Sequence, residues 1–504
     1  MKRTYKFLLG ALLASLFVSC DELTEIEQPG ELSPEATFES VSDLNNGLLG
    51  AYAELDITTE IQFASVFTDE ISIGFDNGGQ GLGSEYIFLL NPQTGGPTAL
   101  WTKNYDAINA ATRVIEAAPL VTPGEGEEGD YNSIIGQAHA IRAFAHFTLM
   151  TYFTPDLADD NALAVIAVDF VPSVESALPR NTNAEVVALI ESDLDQAESL
   201  ISPSLTDVNF FTLDAITAIR ARLAAYRQDY AAADQFATQL LNRYPLASQG
   251  EYLDMYRLDT DGEVIFKLQR TVGDRYDGQG STGSPFAGGW VGANYAFTGP
   301  DVDGSPYFEM GRSLFNLFDT DDIRYEVNVS ETTVLDPLYP NTPPDDWRES
   351  DIIPIDKYRG NVPGEGQPLM NDLKVFRASE MQLIKAEAQV ALGNLGAAAN
   401  LVKELRDARF GSPQPTPSYS NATAAYADIL EERRRELCFE GHRYIDLKRL
   451  GQRANAGIDR DQLDCQLFGA CDAPAPGDFR FTFPIPLVEI NGNATIATQQ
   501  NPGY

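Results

Sequence analysis

Apolar residues recur at three-to-four spacing through much of the chain, the period of an α-helix with one buried face. Residues 42–55 and 101–118 carry this pattern. Residues 133–153 (SIIGQAHAIRAFAHFTLMTYF) extend it into a long apolar-faced helix. A further helix is expected over 184–201, with Asn181 and Thr182 as candidate caps. The stretches 212–227 and 230–243 are separated only by Gln228 and Asp229, which predicts a helical hairpin. A second hairpin is expected over 377–392 and 396–409, joined through Gly393, Asn394 and Leu395. A last helix is expected from about Asp428 to Leu450, ended by Gly451.

Ala recurs where the paired helices would touch. Two antiparallel helices, a tight turn and small residues at the contacts resemble tetratricopeptide units. The near-constant hairpin length favours such units over a generic bundle. Two stretches break the period. Residues 60–100 are rich in Gly, Asn and aromatics, and residues 270–372 in Gly, Pro and Tyr. Long irregular stretches within a compact fold usually carry function. The expected fold is mostly α, with helical hairpins supporting an irregular, loop-rich lobe. The helices fall at about 42–118, 133–243 and 377–450, and the lobe at about 60–100 and 270–372.

The first residues read as an address. Lys2, Arg3 and Lys6 precede an apolar run from Phe7 to Val18. That run is too short to span a bilayer, which takes ~20 apolar residues. Residues 1–19 therefore read as a signal peptide. LFVSC resembles a bacterial lipobox, which makes Cys20 the acylated N-terminus of the mature chain. Residues 20–40, with Asp21, Glu22, Glu25 and Glu27, form a lipidated flexible tether, and 41–504 a single domain. The membrane is engaged through the lipid anchor only. Cys465 and Cys471 can close a small disulfide in an oxidising compartment. Cys438 sits in helical sequence as a buried apolar residue. These spacings match no zinc pattern.

Charge narrows the partners. The 504 residues carry 35 Lys plus Arg against 74 Asp plus Glu, a net charge of −39. Such a surface repels nucleic acid, so a nucleic-acid function is excluded. Only 9 of the cations are Lys and 26 are Arg. An acidic, Lys-poor surface suits concentrated salt, which screens self-repulsion; it also suits a plain extracellular surface. His139 and His146 lie seven apart on one helix face, and His442 is the third and last His. That implies packed or hydrogen-bonded histidines and no metal site. No cofactor motif is present.

The loop aromatics are the candidate ligand contacts. Trp290, Phe286, Tyr295, Tyr276, Tyr307 and Tyr86 sit in Gly-rich, non-periodic sequence. Sugar C–H faces stack on rings, while Arg275, Asn294 and Asn77 nearby can bond hydroxyls. Each ring either meets ligand or pins its own loop. The run ERRRELCFEGHRYIDLKR alternates in sign at helical spacing. It predicts a salt-bridged structural helix and not a catalytic site.

Several ordered patterns together resemble the SusD/RagB family of outer-membrane lipoproteins. One is Gly136-Gln137-Ala138 through Arg142-Ala143-Phe144 to Leu149, Tyr152 and Phe153. Next come Arg180 with Thr182, then Asp193-Leu194 and Ala197. Phe376-Arg377 with Glu380 and Ala386-Glu387-Ala388 follow. Glu432-Arg433-Arg434, Glu436-Leu437, Glu440-Gly441, Arg443 and Asp446-Leu447 form the densest signature. Pro484-Ile485-Pro486, Glu489-Ile490 and the ending Gln500-Asn501-Pro502-Gly503-Tyr504 complete it. Gln137 departs from the Glu frequent in the family, which bears on a local contact. The resemblance implies a SusD-like fold on the outer membrane, facing the cell exterior. It implies a non-enzymatic protein that captures oligosaccharide and delivers it to a SusC-type TonB-dependent transporter. Peptide capture by the same architecture and a protein-binding surface scaffold stay open. A glycoside hydrolase is the remaining rival, although no local motif singles out a carboxylate pair.

Overall fold

A computed structural model of the protein describes residues 37–74, 85–173, 175–271, 308–343, 347–360, 369–466 and 468–504. The N-terminal part holds α1 (Val41–Glu54), α2 (Thr58–Phe67), α3 (Gly95–Ala117), α4 (Glu128–Phe153), α5 (Asn183–Leu200), α6 (Leu213–Tyr226), α7 (Tyr230–Leu241) and α8 (Gln249–Arg257). The C-terminal part holds α9 (Ala378–Ala391), α10 (Leu395–Phe410), α11 (Ala422–Glu436) and α12 (Arg443–Ala454). The central α4 packs against α1, α3 and α5, and α9 packs against α7, α10 and α11. A main apolar core runs through these layers, from Val41 to Ile496, and a smaller second cluster gathers around Tyr252, Met255 and Tyr256 of α8.

The helices follow from their sequences. In α5, Val186, Ile190, Leu194 and Ala197 are buried at helical spacing, so one face meets α4. Thr182 caps it by accepting from the Glu185 N–H, and Glu185 accepts from the Thr182 N–H at 2.8 Å. The α6–α7 hairpin turns at Gln228 (φ 64°), and the α9–α10 hairpin at Gly393 (φ 84°). Ala218, Ala221, Ala237, Ala386 and Ala398 are fully buried within these pairs, where a methyl lets helix axes approach closely.

Three expectations are corrected. Residues 60–100 are not uniformly irregular, because α2 and the start of α3 fall within them. All ten residues of α2 are buried, so it has no polar face and shows no helical period. The last helix is two helices. The chain breaks between Glu436 and Arg443, with Phe439 (φ 60°) and Gly441 (φ 85°) both left-handed, and Gly451 lies inside α12. Finally, the 270–372 stretch is not uniformly irregular. β1 (Ile71–Ile73) pairs antiparallel with β3 (Phe308–Met310), which the stretch contributes, and β2 (Val264–Leu268) pairs with β4 (Leu373–Arg377), the two strands that flank it.

The residues that carry the family resemblance converge as structural joints. Arg142 grips Asp193 through two bonds of 2.8 and 2.7 Å, tying α4 to α5. Arg180 donates to the carbonyls of Phe153, Leu163, Ala164 and Gln499 and to Asn501 Oδ1, which fixes the C-terminal tail. Gln137 accepts from the Tyr52 hydroxyl at 2.9 Å and donates to the Ser133 carbonyl. A neutral amide can do both, which a carboxylate at this position could not.

The densest signature builds a buried charge network. Arg377 meets Glu263 at 3.0 Å and Glu440 at 2.9 Å, and also Glu436. Arg409 meets Glu263 at 2.8 Å and Glu436 at 2.9 Å. Arg324 meets Glu432 at 2.7 Å and Glu436 at 3.2 Å. These guanidinium groups hold the Glu436 carboxyl well below the usual carboxylate range against the opposing effect of burial. The charged run is structural, as its alternating signs suggest, but it faces the interior.

Candidate functional site

The described part of the expected lobe comprises 60–74, 85–100, 270–271, 308–343, 347–360 and 369–372. Strand pairing sets its frame. Ile73 lies opposite Phe308, so the chain leaves toward residue 75 and returns from residue 307 at one end of one strand pair. Leu268 lies opposite Leu373, so 269 onward and the approach to 373 likewise share one end.

Trp290, Tyr295, Phe286, Tyr276, Tyr307, Arg275, Asn294 and Asn77 lie outside the described residues, as does Cys20. Tyr86 is described, and it is fully buried. Its hydroxyl donates to the Asp464 carbonyl at 2.6 Å, and the Arg460 guanidinium lies 4.0 Å over its ring. Phe468 packs edge-on at 5.9 Å. Tyr86 is therefore part of a packed wall and not an open platform for ligand. Cys465 and Cys471 are joined by a disulfide with Cα atoms 4.9 Å apart, beside the Tyr86 partners Asp464 and Phe468.

Within the described lobe an open cavity of about 600 Å³ lies between α8 and the 325–359 segment. Its back wall is Arg257 of α8, which donates to Asp356 Oδ2 at 2.8 Å and to the carbonyls of Asp356 and Glu326. Arg359 reaches the same Asp356 carboxylate at 3.4 Å and keeps 37% of its side chain exposed. Tyr325, packed on Phe315 with ring centres 6.2 Å apart, presents a half-buried aromatic ring. Ser330, Glu331 and Thr333 add hydroxyl and carboxylate groups, and Val329 and Leu335 add apolar surface. Thr333 Oγ1 is covered yet has no hydrogen-bond partner among the described residues.

This set suits a hydroxylated, uncharged ligand. Carboxylates accept from hydroxyls, a guanidinium donates to them, and a ring and short apolar chains meet C–H faces. Residues 325–359 fall inside the expected lobe but were not among the expected contacts. The signal available was the Asp356 and Arg359 pair three residues apart in non-periodic sequence, which the more conspicuous Gly-flanked aromatics outweighed.

The histidines are structural. His146 donates through Nδ1 to the Arg142 carbonyl at 2.9 Å and accepts at Nε2 from the Val168 N–H at 3.2 Å. Burial pushes its pKa down to about 4, so the imidazole stays neutral. His139 faces Asp193 at 2.7 Å. Among the described residues no three His, Cys, Asp or Glu side chains gather as a metal site. No helix of the described residues is long and apolar enough to cross a membrane.

Comparisons with known proteins agree with this architecture. The model of the SusD family matches residues 356–504, and a second model, described as starch-binding associating with outer membrane, matches residues 24–224. SusD-like protein P2 of Formosa agariphila is 25% identical, with all of both chains covered. SusD-like protein P38 of the same organism is 24% identical over 90% of this chain and 93% of its own. A SusD superfamily protein from Bacteroides thetaiotaomicron superposes with a TM-score of 0.73 at 22% identity, covering 92% of this chain and all of its own. A SusD-like carbohydrate binding protein from Bacteroides vulgatus gives 0.69 at 18% identity, covering 92% and 98%. The helical scaffold with its strand-framed lobe is thus the SusD superfamily fold. The chain belongs to the SusD/RagB family.

Proposed function

We propose that the protein captures oligosaccharide at the cell surface through its lobe, holds it without cutting it, and delivers it to a SusC-type TonB-dependent transporter. The observation that carries the reading is the 600 Å³ cavity of the lobe, whose mixed ring, guanidinium, carboxylate and hydroxyl lining suits sugar. It gains support from the starch-binding, outer-membrane description of the matched family model and from the carbohydrate-binding relative. Trp290, which stands in the aromatic-rich sequence of the expected lobe, is the proposed stacking platform. Calorimetry against a panel of oligosaccharides, with a reducing-sugar assay on the same samples, tests this. Binding without product is expected. Product release abolished by one carboxylate substitution would make the protein a hydrolase. Binding of peptides alone would move the ligand class.

Trp290→Ala is expected to cost sugar binding ~2 kcal/mol with an unchanged melting temperature, because Trp is the best flat platform for a sugar face and its flanking glycines allow close backbone approach to a ligand. Lost stability with retained affinity would make the ring a loop anchor.

Lipid anchoring at Cys20 places this capture at the outer membrane, on the exterior side. Cys20→Ala is expected to leave the protein unacylated and in the aqueous phase of a detergent partition. A variant that still follows the detergent would refute the anchor.

A further inference from the structure

A second groove, of about 400 Å³, opens where the end of α4, the α6–α7 turn and α12 meet. It shares no lining residue with the lobe cavity. Its cations are unusual for this chain. In a protein of net charge −39, most described Arg and Lys side chains sit within 4.0 Å of a carboxylate. Lys448 and Arg453 do not, among the described residues, and both line this groove.

Other contacts hold the two in place. Lys448 Nζ donates to the carbonyls of Thr151 at 2.8 Å and Thr154 at 2.6 Å. That caps α4, where a cation suits the negative end of the helix. Capping uses two of its three hydrogens, and no described carboxylate comes within 4.0 Å of it, although the more distant Asp156 carboxylate favours its charged form. Burial pushes its pKa down to about 7, which a bound anion would reverse. Arg453 donates to the hydroxyls of Tyr230 at 2.8 Å and Tyr426 at 3.2 Å, and to Gln228. Its guanidinium lies 5.4 Å from the Tyr230 ring centre. Neutral partners fix its direction and leave its charge uncompensated. Arg449, also in the lining, is already neutralised by Glu387 and Asp446. The one lining carboxylate, Asp156, is exposed and accepts from the Ala158 N–H at 2.9 Å.

We propose that this groove binds a sugar residue bearing an oxyanion, a carboxylate or a sulfate ester, held between Lys448 and Arg453. The anion answers two cations that make no ion pair with a described carboxylate. The Tyr230 ring and hydroxyl and the amides of Gln228 and Gln452 serve the rest of the sugar. A volume of about 400 Å³ holds a sugar of one or two rings and is far larger than a free ion needs. The groove gives an acidic protein a local positive site for a glycan that its surface otherwise repels.

The test is calorimetry of the full mature chain with glucuronate, a sulfated monosaccharide, inorganic sulfate and glucose. One of the two acidic sugars should bind with one site per chain and more tightly than sulfate, and glucose should not bind there. Arg453→Gln should weaken it about tenfold or more, since a charge-assisted bond is lost. Asp156→Asn should tighten it by removing a like charge. Lys448→Met tests the second cation. If that variant unfolds because α4 loses its cap, Arg453→Gln and Asp156→Asn carry the result. Three outcomes overturn the proposal: no binding of either acidic sugar, sulfate binding as tightly as the sugars, or poly-glutamate binding where the sugars do not. The lobe and the groove fail separately, because Trp290→Ala should leave acidic-sugar binding at Lys448 and Arg453 unchanged.

Discussion

Glu436→Gln is expected to destabilise the fold by about 3–5 kcal/mol, the usual cost of removing one partner from a buried ion pair. Glu436 is fully buried and its two oxygens serve three guanidinium groups. Arg409 reaches it through Nε at 3.0 Å and Nη2 at 2.9 Å, and Arg324 through Nη1 at 3.2 Å. Gln keeps the size and one acceptor. It removes the charge, and its amide hydrogens point at donors. Arg324 retains Asp322 and Glu432, and Arg377 retains Glu263 and Glu440, so those two stay paired. Arg409 retains only Glu263 among its carboxylates and suffers most. Urea unfolding of Glu436→Gln beside Glu431→Gln checks the prediction. Glu431 faces Arg435 at 3.4 Å with half of its side chain exposed, so its loss should cost under ~1 kcal/mol. Similar losses for the two variants would mean that the network is solvated and that burial is not what makes it matter.

That network also shows what the sequence could and could not disclose. The alternating charges of 432–446 suit a helix, and α11 and α12 are helices. Local period cannot tell a solvated charged face from one that meets opposite charges across the core. The partners Glu263, Arg324, Arg377 and Asp69 stand 59 to 374 residues away in the chain. The break at Phe439 and Gly441 was hidden for the same reason. Its backbone is shaped by distant groups, since Phe439 N–H donates to Glu70 and Lys357 donates to the Cys438 carbonyl.

The amphipathic helices were legible because each buries one face, as α5 does. The fully buried α2 was not, because a helix without a polar side carries no period. Tyr86 was misread by the opposite error. Its Gly-rich neighbourhood suggests an open loop, but the groups that cover it, Arg460, Asp464 and Phe468, come from the far end of the chain. The proposed cavity lies partly within the stretch that sequence marked as irregular. Sequence did not single out the Arg257–Asp356–Arg359 arrangement, because Arg257 stands 99 residues from Asp356 and only the fold brings it to the neighbouring Asp356–Arg359 pair.

A second large effect is expected from pH, through Glu60. This carboxyl lies in α2 and lines a small cleft of about 70 Å³ with His442, Arg222 and Thr151. Burial, helped by the nearby Asp56 carboxylate, pushes its pKa up to about 8 from an ordinary 4.5. Lys103 and Asn104 oppose the shift and do not cancel it. The folded protein therefore keeps a proton on Glu60 at neutral pH that the unfolded chain has lost. Stability falls as pH rises between those two values, at about 1.4 kcal/mol per unit, and levels off above the upper one. The full span is on the order of 5 kcal/mol. Glu60→Gln imitates the neutral acid at every pH. Its stability gain over the parent should be near zero at pH 4.5, grow up to about pH 8, and then stay flat. Other groups titrate in the same range. Glu70, pushed up to about 7, falls the same way, while His146, held down to about 4, stabilises as pH rises. They are present in both proteins and cancel in the difference. Unfolding free energies of the pair, measured in urea from pH 5 to 9, read that difference directly. Parallel curves would show that Glu60 ionises in the folded state as it does in water, and that the cleft is wet enough to carry the charge.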